Sequence, residues 1–153
     1  MRGLHTYSHR DGKEIAEKQG VLQDVIASVN VESFHISRNS GAEAKKAILE
    51  SLISCGWAPN PQVDARIRID VNAMKNGIWL TAQTGNIARA FYDLIKFQHL
   101  FISGRSRAAV HILPARVAAQ TIGSNIAYFE RVRDELLVFE SVITSPLLII
   151  AFE

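Results

Sequence analysis

Three polar residues in the stretch ARIRIDVNAMKNGIWLTAQTGNIARAFYDLIKFQHLF have the types and spacing for chemistry: Asp70, Thr81 and Gln83. A carboxylate is the ligand a hard divalent cation prefers, and a hydroxyl and an amide beside it add neutral oxygens. Arg66, Arg68, Lys75, Arg89 and Lys96 surround them in sequence, as a groove that follows phosphates needs, the alternative being ordinary surface charge on an α/β domain. Such a set brings together an oxygen ligand for a metal and cations for an anionic partner.

These side chains need two strands and a helix to position them. From Ala65 to Val71, apolar Ala65, Ile67, Ile69 and Val71 alternate with Arg66, Arg68 and Asp70, which predicts a half-buried strand with Asp70 on the face of both arginines. Asn76-Gly77 is a turn dipeptide, since both residues tolerate positive φ. The next strand puts Trp79, Thr81 and Gln83 on one face and Ile78, Leu80 and Ala82 on the other, so a hairpin carries Asp70 toward Thr81 and Gln83. Thr84-Gly85-Asn86 ends that strand and caps a helix with the apolar stripe Ile87, Phe91, Leu94 with Ile95, and Phe101, opposite Arg89, Asp93 and Lys96.

An Asp on one strand, a turn, an acidic-x-Gln or acidic-x-Lys triplet on the next strand and a following helix form the core of the restriction-endonuclease-like nucleases, which this segment resembles. GNIARAFYDLIKFQHLF and VHILP narrow the likeness to type II restriction enzymes of the BglII/BstYI kind, whose triplet is Glu-x-Gln. YSHRDG, the helix ending in CGW, GSNIAYFERVRDEL and PLLIIAFE extend it over most of the chain. The resemblance implies an α/β fold with a restriction-endonuclease-like mixed sheet flanked by helices. It also implies a homodimer acting on double-stranded DNA by Mg²⁺-dependent phosphodiester hydrolysis, in which the metal polarises the phosphate and lowers the pKa of a bound water. Its catalytic positions fall on Asp70, Thr81 and Gln83, and its metal ligands on Asp70 and the carbonyl of Ala82.

Thr81 departs from the pattern, because a neutral hydroxyl stands where the family has Glu. With one carboxylate among arginines, Mg²⁺ is expected to bind weakly unless another acid reaches in. Glu43 and Glu50, two turns apart on a helix Ala42–Cys55, are the candidates, Glu50 being the nominated metal ligand; the alternative is that both are solvated. Two functions follow: a site-specific endodeoxyribonuclease with a migrated acid, or a degenerate relative that binds DNA or a protein partner without cutting.

Arg66, Arg68, Lys75, Asn86 and Arg89 are the expected DNA contacts on this side, and the resemblance nominates Ser124 and Asn125 in the Gly123-Ser124-Asn125 loop, where an ordinary helix cap is the alternative. Asn125 is expected to cap a helix with Ile126, Phe129, Val132, Leu136 and Phe139 inward. The remaining elements read as a loop over Tyr7–Asp11, a helix Val21–Val29, a strand Ala108–Leu113, a short helix Ala115–Gln120 and a strand Leu147–Phe152 apolar enough for the middle of a sheet.

At 153 residues, 48% hydrophobic and 21% charged, with no Pro/Gly/Ser-rich divider, residues 1–153 are expected to form one domain. The longest apolar run, Pro146–Phe152, falls short of the ~20 residues that cross a bilayer. No leader is read, which points to the cytoplasm, and the single Cys55 fits a reducing compartment. A net charge of +2 only slightly favours an anionic partner. The five histidines have no zinc spacing, and His111, inside a strand, is expected to be a satisfied core residue.

Overall fold

The computed structural model describes residues 1–153, all but the side chain of Leu4. The elements are β1 (Gly3–His9), α1 (Gly12–Lys18), α2 (Leu22–Ser28), α3 (Gly41–Ser54), β2 (Ala58–Pro59), β3 (Gln62–Asp64), β4 (Ile69–Asp70), β5 (Ala73–Lys75), β6 (Ile78–Ala82), α4 (Ile87–Ile102), β7 (Ala108–Pro114), α5 (Arg116–Ile122), α6 (Phe129–Val138) and β8 (Leu147–Phe152). Six strands form one mixed sheet in the order β1-β8-β7-β6-β5-β2, while β3 and β4 make a separate two-stranded ribbon. β6, β7 and β8 run parallel; β1 and β5 are antiparallel to their neighbours.

The three parallel strands are nearly continuous apolar runs because both of their faces are covered. Ile78, Leu80, Ala82, Val110, Ile112, Leu148 and Ile150 pack against Ala16, Val25, Ala44, Ile48, Leu52 and Trp57 on one side. Trp79, Ala109, Leu113, Leu147 and Ile149 pack against Leu94, Phe97, Leu100, Phe129, Val132 and Leu136 on the other. The expected α/β class and helix-flanked mixed sheet are therefore present, with β8 inside the sheet between β1 and β7. Among the described residues, no helix is long and apolar enough to cross a membrane.

Several local expectations are corrected. The expected strand over residues 65–71 is a turn through Arg68, which has φ 53°, followed by the two residues of β4. Only the end of its apolar face is covered: Val71 is buried and Ile69 packs beside it, whereas Ala65 and Ile67 stand exposed in the turn, Ile67 at 69%. The strand that faces β6 is β5. Residues 7–9, read as a loop, belong to β1 and pair with β8, Tyr7 opposite Ile149; an edge strand with a polar face has too little apolar patterning to show itself. Helix α4 is turned relative to the expected stripe: its inward line is Ala90, Asp93, Leu94, Phe97 and Leu100, and Ile95 is 60% exposed. Asn125 does not cap α6. It is left-handed (φ 59°), its carbonyl accepts from Ile87 N–H (3.1 Å), and α6 starts after Tyr128.

Candidate functional site

One cavity of about 320 Å³ opens where the C-terminal end of β6 meets α3, α4 and the chain leaving β4. Lys45 reaches it from α3, Asp70 and Asn72 from the segment before β5, Thr81 and Gln83 from β6 and its exit, and Arg89, Tyr92, Asp93 and Lys96 from α4. The hairpin between β5 and β6 runs on past its last strand residue: Asn72 N–H donates to Leu80 O (3.0 Å), and Ala82 N–H donates to Asn72 Oδ1 (2.9 Å). The side chain beside Thr81 is thus the amide of Asn72. Asp70 stands two residues farther out, exposed, where its strand pairs with β3.

A hydrogen-bonded network fills the inner wall. Gln83 Nε2 donates to Asp93 Oδ2 (3.0 Å), while Gln83 Oε1 accepts from Gly85 N–H (3.1 Å), which fixes the amide's orientation. Lys96 Nζ donates to Asp93 Oδ1 (2.9 Å). Both oxygens of the buried Asp93 are therefore engaged, which is the condition for keeping a carboxylate in the interior. His111 lies deeper, a register partner of Thr81, with Nε2 3.7 Å from Asp93 Oδ2 and no hydrogen bond to either ring nitrogen. Burial pushes its pKa down to about 4, with Asp93 opposing and Lys96 reinforcing the fall. The Thr81 hydroxyl is also buried without a partner. Lys45 makes no ion pair or side-chain hydrogen bond among the described residues, and burial lowers its pKa, against which the carboxylates of Asp93 and Asp70 act.

The fold brings Asp70, Thr81, Gln83 and Arg89 of the expected set into this cavity. It directs the others elsewhere. Glu50 is exposed on α3, 3.7 Å from Lys46, and Glu43 is exposed on the same helix; neither lines the cavity, which α3 enters through Lys45 instead. Ala82, nominated for its carbonyl, is not among the residues lining the cavity; its side chain packs in the α3 layer, which leaves the carbonyl's part untested. Lys75 binds Asp24 (2.8 Å) and the Cys55 carbonyl (2.6 Å), and Arg66 is clasped by Asp64 (2.8 Å). Arg68 is exposed in the turn before β4. Asn86 caps α4, accepting from Ala88 N–H at 2.8 Å. Ser124 and Asn125 line a second cavity, also about 320 Å³, together with Arg116, Gln120, Tyr128 and Arg131. The Arg116 guanidinium there lies 5.3 Å from the Tyr128 ring centre.

Asn72, Lys45 and Asp93 were not singled out from sequence as parts of the site. The i, i+3, i+4 relation of Asp93 to Ala90, Leu94 and Phe97 is the signal that places it inward. His111 is not the satisfied core residue its strand suggested.

The donor set does not fit a divalent cation. Asp70 is the one carboxylate with free oxygens, the Asn72 and Gln83 oxygens already accept backbone N–H groups, and Asp93 is consumed by Lys96 and Gln83. Three cations, Lys45, Arg89 and Lys96, face two carboxylates, so the formal charge of the lining is +1. Among the described residues, no three His, Cys, Asp or Glu side chains gather as metal ligands.

The family model described as "Restriction endonuclease BglII/BglIII" matches residues 4–152. The chain belongs to that family. BglII in its crystal structure with a DNA 16-mer superposes with a TM-score of 0.86 at 13% identity, covering 100% of this chain and 78% of that one. Free BglII gives a TM-score of 0.77 at 14% identity, with coverage of 100% and 80%. No curated protein sequence matches the chain. At these identities the BglII structures establish a shared fold, and the residues of the cavity establish where this member of the BglII/BglIII family departs from a metal-binding site.

Proposed function

We propose that this chain binds double-stranded DNA and does not hydrolyse it: a degenerate member of the type II restriction endonuclease lineage. DNA binding is supported by family membership, by the protein–DNA complex of the similar BglII, and by the exposed Arg89, Arg116 and Arg131 near the two cavities. The observation that carries the loss of hydrolysis is the pair Asn72–Thr81. Two neutral side chains face each other across the hairpin at the point where carboxylates would have to hold Mg²⁺. The same reading has Arg89 contacting the backbone near the cavity and Ser124 and Asn125 meeting the duplex from the second cavity. It also has the chain acting as a homodimer in the cytoplasm, with Tyr92, Ile95 and Ile102 supplying exposed apolar surface along α4.

A second reading rests on Asp93. Asp70 and Asp93 line the same cavity, so an enzyme with a migrated acid could assemble if Asp93 exchanged Lys96 and Gln83 for a metal. Incubating plasmid and short duplexes with the purified protein in Mg²⁺ or Mn²⁺ separates the two. The expected result is duplex retention in a mobility-shift gel with no cleavage by wild type. Cleavage that disappears in Asp93→Asn would establish the second reading, and failure to bind any duplex at low salt would remove the first.

A further inference from the structure

We infer that Lys45, with Arg89 and Lys96 beside it, makes this cavity a metal-free phosphate site, in which an ammonium group supplies the positive charge that a divalent ion would otherwise bring to a DNA backbone phosphate. This rests on the DNA-binding reading and specifies how the cavity takes part in it.

Lys45 carries the argument. It is half-buried, it lines the cavity, and it has no ion-pair or side-chain hydrogen-bond partner among the described residues. The next residue on α3, Lys46, is exposed and sits 3.7 Å from Glu50, so the helix offers an ordinary solvated pairing at one position and an unpaired inward ammonium at its neighbour. Its stem is partly covered while its ammonium opens into the cavity with no counter-ion in hydrogen-bond contact among the described residues, so an anion entering the cavity meets a cation that no carboxylate has taken. Lys96 is committed to Asp93, and that pair is closed by Gln83, which leaves Lys45 and the exposed Arg89 as the uncommitted cations of the lining. Asn72 and Thr81 add neutral side chains to the same lining, and of its two carboxylates Asp93 is held by Lys96 and Gln83. Asp70 is the single free anion, and it stands at the exposed rim. A phosphodiester carries one negative charge, which matches the +1 of the lining, and it accepts hydrogen bonds through its two free oxygens.

The test is fluorescence anisotropy of a labelled duplex titrated with wild type, Lys45→Met and Lys46→Met, at several salt concentrations, in EDTA and in Mg²⁺ at matched ionic strength. Met keeps the packing of the aliphatic stem and removes the charge together with its N–H donors. Wild type should bind equally in EDTA and Mg²⁺. Lys45→Met should bind several-fold more weakly, and its slope of log K against log salt should be shallower by about 0.9, the value of one phosphate contact. Lys46→Met should keep the wild-type slope. Circular dichroism melting of each variant establishes that it is folded.

Equal slopes for the two variants, with wild-type DNA binding intact, would overturn the inference and leave the DNA-binding reading standing. A marked gain of affinity on adding Mg²⁺ would overturn it in favour of a metal site. Inorganic phosphate forms the second arm, followed by its perturbation of the Lys45 resonances. Phosphate binding that needs Lys45, in a protein that ignores duplex DNA, would overturn the backbone as the source and the DNA-binding reading with it.

Discussion

Acid stability offers a sharp test of the buried chemistry, through His111. The imidazole is fully buried, both ring nitrogens lack hydrogen bonds, and its pKa is pushed down to about 4 from 6.5. The folded protein therefore keeps this ring neutral at pH values where the unfolded chain already binds a proton. Above pH 6.5 neither state is protonated and the ring's titration contributes nothing. As pH falls from 6.5 to 4, the unfolded state gains protons first and is favoured. At ~1.4 kcal/mol per pH unit the interval is worth about 3 kcal/mol, a large part of the 5–15 kcal/mol typical of a domain. His111→Leu removes the titration and both unpaired nitrogens, losing only the edge contact to Phe97 at 5.8 Å. Urea unfolding followed by circular dichroism at pH 7 and pH 4 is the assay. Carboxylates titrate in both proteins, so the quantity of interest is the difference of the two losses: wild type should lose about 3 kcal/mol more than the variant. Equal losses would mean that His111 finds a partner when protonated, with Asp93 at 3.7 Å the obvious one, and the account of an isolated imidazole would be refuted.

Two further outcomes test the framework of the site. Gly12 opens α1 directly against β8, and a Cβ there would lie 2.1 Å from the Leu147 carbonyl carbon; backbone cannot yield as a side chain can, so Gly12→Ala should cost about 3 kcal/mol or more, seen as a depressed Tm. Gln83→Ala strips Asp93 Oδ2 of a donor and Gly85 N–H of an acceptor, which should destabilise by about 1–3 kcal/mol in chemical denaturation.

How much could be read from the chain alone depended on whether an element's pattern came from its own burial. Ile78, Leu80 and Ala82 against Trp79 and Thr81 sort correctly onto two faces, because β6 is covered on both sides and its residues answer to those two layers. The final strand Leu147–Phe152 matches β8 residue for residue for the same reason. Asn86 was legible as a cap because an N-cap is a local hydrogen bond, made to Ala88 N–H two residues on. The segment 65–71 misled because its alternation runs through an exposed turn at residues 65–68, and only Ile69 and Val71 beyond it reach the core. In α4 the polar Asp93 looked outward by type, whereas it lies inward because Gln83, ten residues earlier, and Lys96 supply its partners.

The sequence by itself determined the family, the class of fold and the fact that position 81 is uncharged, since these follow from local patterning and from the identity of side chains. Tertiary structure decided which groups share a space with Thr81. Asn72 faces it because β5 and β6 fix a register. Lys45 and Asp93 arrive on two helices that pack on opposite faces of the sheet and meet only at its end. Charge at a site is a sum over neighbours in space, and a lysine at position 45 gives no sign along the chain that it will stand against a hydroxyl at position 81.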